Sequence, residues 1–97
     1  MSDEELLSGT LLEGACLSLE ELALVCSVAP AWVRIRVEEG LLAAAGETAP
    51  EWRFSAVAVR RVRRMVALER DFDAAPELAA LMADLLEELD ALRAQPR

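Results

Sequence analysis

A mainly α fold, with a helix-turn-helix, a small β-hairpin wing and a long C-terminal helix, is predicted by three features of this 97-residue sequence. Hydrophobic residues make up 55% of the chain and aromatic ones only 4%, so the apolar content is mostly Ala, Leu and Val, and Ala and Leu lead the order of helix propensity. Caps and breakers divide the chain into helix-sized pieces. Within those pieces the apolar residues recur at helical spacing.

Residues 1–14 are weakly patterned, with Gly9 and Gly14 as breakers and Leu6-Leu7 and Leu11-Leu12 as material for an arm or short strand. Ser18-Leu19-Glu20-Glu21 is a capping box: the Ser18 hydroxyl accepts from the third amide of a helix while Glu21 reaches back to the cap amide. Leu19, Leu22, Ala23 and Cys26 then follow at 3/4 spacing, predicting about two turns of helix. Ser27-Val28-Ala29 is a turn, Pro30 suits a first helical turn, and a second helix runs through Trp32 and Val37 to Glu38-Glu39, where Gly40 is a natural C-cap. Two short helices joined by about three residues make a helix-turn-helix.

The apolar patches at Leu41-Leu42 and Trp52-Arg53-Phe54 flank a breaker-rich loop containing Gly46, which predicts a hairpin wing. Trp52 and Phe54 alternate around Arg53, so both rings are expected on the core side. Ser55 caps a third helix over about 56–72, whose apolar face gathers Val57, Val59, Val62, Met65, Val66, Leu68 and Phe72 opposite Arg60, Arg63, Arg64 and Arg70. Asp73 to Glu77 reads as the start of a last helix, with an acidic cap and a proline in the first turn, extending over about 75–94. In it Leu78, Met82, Leu85, Leu89 and Leu92 recur at 4-3-4-3, a coiled-coil seam that Leu81 and Leu86 broaden. The seam is either packing on its own domain or the joint of a homodimer, and a domain this small buries little enough surface to make oligomerisation an expectation. The predicted organisation is one structural domain: an N-terminal arm (1–14), a winged helix-turn-helix (15–72) and the C-terminal helix (73–97).

Much chemistry is missing from the alphabet. With no His and no Lys there is no Ser-His-Asp or Cys-His relay, no imidazole metal ligand, no Schiff base and no P-loop lysine. An enzyme is therefore not expected, and no cofactor is predicted. Cys16 and Cys26 lie ten apart with no C-x-x-C, which reads as two buried thiols in a reducing compartment. The acidic start of the chain and the lack of an 18-residue apolar run predict a cytoplasmic protein with no membrane span.

The net charge of -8 hides a pattern of blocks. Residues 1–52 hold ten acids and two arginines, residues 53–70 hold six arginines and Glu69, and residues 71–97 hold seven acids and two arginines. A basic island lies between acidic flanks.

Several motifs, in order, carry a family resemblance: Leu17-Ser18-Leu19-Glu20-Glu21-Leu22, Trp32-Val33 with Val37-Glu38-Glu39-Gly40-Leu41-Leu42, Trp52-Arg53-Phe54-Ser55, Arg60-Arg61 with Leu68-Glu69-Arg70-Asp71, and Asp84-Leu85-Leu86-Glu87-Glu88-Leu89. With them the chain resembles the MerR-like winged-helix family, and within it the chaperone modulator CbpM branch. The resemblance implies a small cytoplasmic protein that binds the J-domain of a CbpA/DnaJ-like co-chaperone and blocks its work with Hsp70 (DnaK). Two places depart from the family pattern: Cys26-Ser27-Val28 stands where the helix-turn-helix usually has Gly, and Ala74-Ala75-Pro76-Glu77 where Gly often precedes the last helix.

A MerR-type DNA-binding regulator is the alternative, with Arg34, Arg36, Arg53, Arg60, Arg63 and Arg64 as its candidate contacts. Against it, a DNA reader needs a positive surface to neutralise phosphates, whereas the second helix here ends in Glu38-Glu39 and the loop after it adds Glu47 and no base. For a J-domain, whose basic helix lies beside a His-Pro-Asp loop, the candidate contacts are Glu38, Glu39 and Glu51 around the wing, Glu77, Asp84, Glu87 and Glu88 on the last helix, and Trp32 as a half-exposed anchor.

Overall fold

The computed structural model describes residues 17–94. The expected arm at 1–14, and Cys16, lie outside them. The described chain runs α1 (Leu19–Cys26), α2 (Pro30–Glu38), a 3-10 turn (Ala49–Glu51), α3 (Ala56–Phe72) and α4 (Pro76–Arg93). The structure is mainly helical, as the composition predicts.

The capping box forms as read: Ser18 Oγ accepts from the Glu21 amide at 3.1 Å, and Glu21 Oε1 accepts from the Ser18 amide at 2.9 Å. At the other end of α1, Ser27 supplies the left-handed residue, at φ 57°, within the Cys26-Ser27-Val28 turn where the resemblance leads to an expectation of glycine. The Val28 amide donates to the Ala23 carbonyl at 3.0 Å and the Ser27 amide to Leu24 at 3.2 Å, the paired bonds of a Schellman motif. A side chain in this conformation carries strain that glycine does not. Ser27→Gly is therefore expected to stabilise the fold by about 0.5–1 kcal/mol, net of the extra freedom glycine gives the unfolded chain. A Tm that falls or stays put in thermal denaturation would contradict this.

Gly40 ends α2 in the same way at φ 77°, with the Leu41 amide donating to the Arg36 carbonyl at 2.8 Å and the Gly40 amide to Val37 at 3.0 Å. Asp73 departs from its expected role. Instead of capping the last helix it closes α3 in a left-handed conformation at φ 51°, one that a short polar side chain tolerates, and α4 begins at Pro76 behind Ala75 with no side-chain cap. Ser55 likewise precedes α3 without a side-chain cap bond.

The predicted hairpin appears in the described residues as a single bridge, Ala45 with Arg53, whose amides donate to each other's carbonyls at 3.0 and 2.9 Å. The neighbouring Phe54 makes a second isolated bridge with Leu17. Longer pairing is disfavoured because residues 43–50 are mostly Ala, Gly and polar residues of low β-propensity and include Pro50, which has no amide to donate. Gly46 is needed in this turn: a Cβ there would lie 2.7 Å from the Glu51 carbonyl oxygen.

Trp52 and Phe54 both face inward as predicted, and Phe54 is the largest fully buried side chain among the described residues. They pack with Leu17, Leu22, Val33, Val59 and Val62 in one core cluster that joins α1, α2, the bridged segment and the first half of α3. A second cluster joins Met65 and Leu68 of α3 to Ala79, Ala80 and Ala83 of α4, and Trp32 packs against both. Beyond this cluster, α3 and α4 are tied by Arg61 with Asp84 and Glu87 and by Arg64 with Asp90. Two residues expected on the buried face of α3, Val57 and Phe72, are exposed near its ends.

Candidate interaction surface

The basic island is the first candidate surface, and most of its arginines are engaged by the chain's own acceptors. Arg61 projects from α3 into the angle between α4 and the segment after α2. Its Nε donates to the Leu41 carbonyl at 2.9 Å, and its Nη1 to Asp84 Oδ1 at 2.7 Å and Glu87 Oε2 at 2.9 Å. Burial pulls the Arg61 pKa down, but its hydrogen bonds to Glu87 and Asp84 and their negative charges together outweigh it and raise the pKa above the ordinary guanidinium value. Arg64 pairs with Asp90, and Arg63 reaches the Val25 carbonyl at 3.4 Å. Arg60 is exposed and makes no ion pair among the described residues.

The arginines of α2 divide. Arg34 is on the outside, its Nε 3.7 Å from Glu38 Oε1 in an exposed pair of one helical turn, a type worth about 0.3–0.5 kcal/mol. Arg36, expected among the candidate nucleic-acid contacts, turns inward: it is 9% exposed, donates from Nη2 to Glu69 Oε1 at 2.8 Å, and stacks 4.0 Å from the Trp32 ring centre. Arg36 Nε and Glu69 Oε2 are buried without a partner among the described residues. The pair fixes α2 against α3 and leaves little of Arg36 for a ligand. Trp32 is half-buried beneath that guanidinium. Arg53 is exposed and donates to the Trp52 and Pro50 carbonyls at 2.7 and 3.4 Å.

The acids divide in a similar way. Asp84 and Glu87 are held by Arg61, whereas Glu39, Glu51, Glu77 and Glu88 are exposed and make no ion pair among the described residues. Glu38 and Glu39 project at the end of α2, Glu51 lies in the 3-10 turn, and Glu77 and Glu88 lie on α4.

α4 carries two apolar stripes side by side. Its inner stripe is Ala79, Ala80 and Ala83, whose methyl groups leave room for α3 to approach. The leucine seam predicted from the 4-3-4-3 spacing is beside it and mostly in solvent: Leu78, Leu85, Leu89 and Leu92 are 50, 58, 40 and 58% exposed, and only Met82 is drawn into the second core cluster. Leu81 and Leu86 extend the exposed stripe. The alanine face escaped the sequence reading because a helical projection dominated by leucine gives three alanines little weight. The Arg61 hub escaped it too, although Asp84 and Glu87 stand three apart, the spacing at which one guanidinium can meet both.

Cys26 is half-buried, its Sγ 3.9 Å from the Val59 carbonyl oxygen. No helix among the described residues is long and apolar enough to cross a membrane. The sequence model of the MerR HTH family of regulatory proteins matches residues 17–97. No curated protein and no solved structure matches the chain.

Proposed function

The chain belongs to the MerR HTH family of regulatory proteins, and from that premise we propose that it is a non-enzymatic, homodimeric modulator that binds the J-domain of a CbpA/DnaJ-like co-chaperone and keeps it from Hsp70. The choice of a protein partner over DNA rests on one observation: candidate arginines of α2 and of the basic island spend their charge internally, Arg36 on Glu69, Arg61 on Asp84 and Glu87, and Arg64 on Asp90. What the α2 end, the 3-10 turn and the outer flank of α4 offer to a partner is carboxylate. Such a surface repels phosphates and attracts a basic helix, giving fast, salt-sensitive association. Glu38, Glu39, Glu51, Glu77 and Glu88 are the proposed contacts. Asp84 and Glu87 join them by shaping the field while bound to Arg61, and Trp32 supports the α2 end from beneath.

Calorimetry at low salt with a CbpA-like protein encoded beside this chain is expected to show binding that weakens as salt rises. No heat of binding under those conditions would remove the proposal. The DNA-binding reading, which would use Arg34, Arg53, Arg60 and Arg63, predicts instead a salt-dependent mobility shift on the chain's own promoter region.

A further inference from the structure

A groove of about 500 Å³ opens between the starts of α1 and α2 and the 3-10 turn. Leu19 and Trp52, both nearly buried, form its floor; exposed Ala31 and Pro50 wall it; and Arg34 and Arg53, exposed and on different elements, line it together. It is therefore an apolar trough lined by two guanidinium groups against one carboxylate, Glu20, in a chain of net charge -8. The pair of Arg34 with Glu38 is long and solvated, and Arg53 makes both of its hydrogen bonds among the described residues through Nη1, so each side chain has donors left for a guest.

We propose that this groove docks a short extended segment of a protein partner in which one carboxylate is flanked by small apolar residues. The two arginines would receive the carboxylate in charge-assisted hydrogen bonds, and the trough would take the neighbouring apolar side chain. Nucleic acid fits less well. A phosphodiester chain brings a charge at every step and nothing apolar to cover Leu19 and Trp52. The site is separate from the leucine seam of α4 and selects the opposite charge to the carboxylate surface, so it adds to the proposed function without depending on it.

Amide chemical shifts of the full chain would be followed while adding an end-blocked hexapeptide with one aspartate between proline and leucine. The expected result is saturable shifts confined to residues 18–20, 30–34 and 49–53, at least tenfold weaker binding of the same peptide with asparagine, and loss of the shifts in the double variant R34A/R53A. A second variant, Ala31→Phe, fills the trough while keeping both charges and is expected to block the peptide as well; its own spectrum reports whether it is folded. Absence of saturable shifts, equal response to the asparagine peptide, or shifts at these residues produced by a 20-base-pair duplex in place of the peptide would each overturn the proposal.

Discussion

Replacing Leu85 and Leu89 together with glutamate is expected to halve the mass measured by light scattering while leaving the helical circular dichroism unchanged. Both side chains are largely in solvent in the single chain, at 58 and 40% exposed, so the change removes little from either core cluster. In the proposed dimer the same side chains are buried, and completing the burial of a half-exposed leucine is worth about 1 kcal/mol. Two such residues on each of two chains give about 4 kcal/mol, or roughly a thousandfold in the dissociation constant, before the repulsion of four new carboxylates is added. A wild-type chain that already has the monomer mass would defeat the dimer proposal. So would a double variant that keeps the wild-type mass.

Arg61→Ala is expected to cost about 2–3 kcal/mol and to lower Tm by about 10–20 °C in a domain of this size. The guanidinium joins three parts of the chain, through the Leu41 carbonyl, α3 itself and the two α4 carboxylates, and its side chain is 13% exposed. The estimate is held below the sum of the separate bonds because Asp84 is mostly solvated and regains water when the arginine goes. Glu87 is more enclosed, so a double-mutant cycle of Arg61→Ala with Glu87→Gln is expected to show coupling of about 1 kcal/mol. A loss below about 0.5 kcal/mol for Arg61→Ala would mean that the hub is geometric and not energetic.

Helix boundaries were the most legible part of the sequence, because each depends on one or two local residues. Ser18 with Glu21, Pro30 and Gly40 mark ends that the structure reproduces. Asp73 misled because an acidic residue before Ala-Ala-Pro suits an N-cap and a left-handed C-terminus equally well, and only the path between α3 and α4 selects the second. The wing was legible as two inward rings but not as a hairpin, since alternation says which way Trp52 and Phe54 point and nothing about how many backbone pairs close around Gly46.

For the candidate surface the limit was one of orientation. Periodicity finds an apolar stripe on α4 but does not decide whether Leu85 or Ala83 faces α3; the close approach of the two helices decides it. Charge blocks behave alike: six arginines in residues 53–70 look like one binding surface until the turn at 73–75 brings Asp84 and Glu87 back onto Arg61 and Asp90 onto Arg64.

The position of Trp32 gives the molecule a built-in optical probe. The chain has two tryptophans and no tyrosine, so its ultraviolet emission comes almost wholly from two indoles. Trp52 reports from the groove floor, while Trp32, touching both core clusters under the Arg36 guanidinium, reports from the joint between the helix-turn-helix and α4. With Trp52 changed to phenylalanine, the remaining emission becomes a direct readout of whether occupying one end of the molecule disturbs the other.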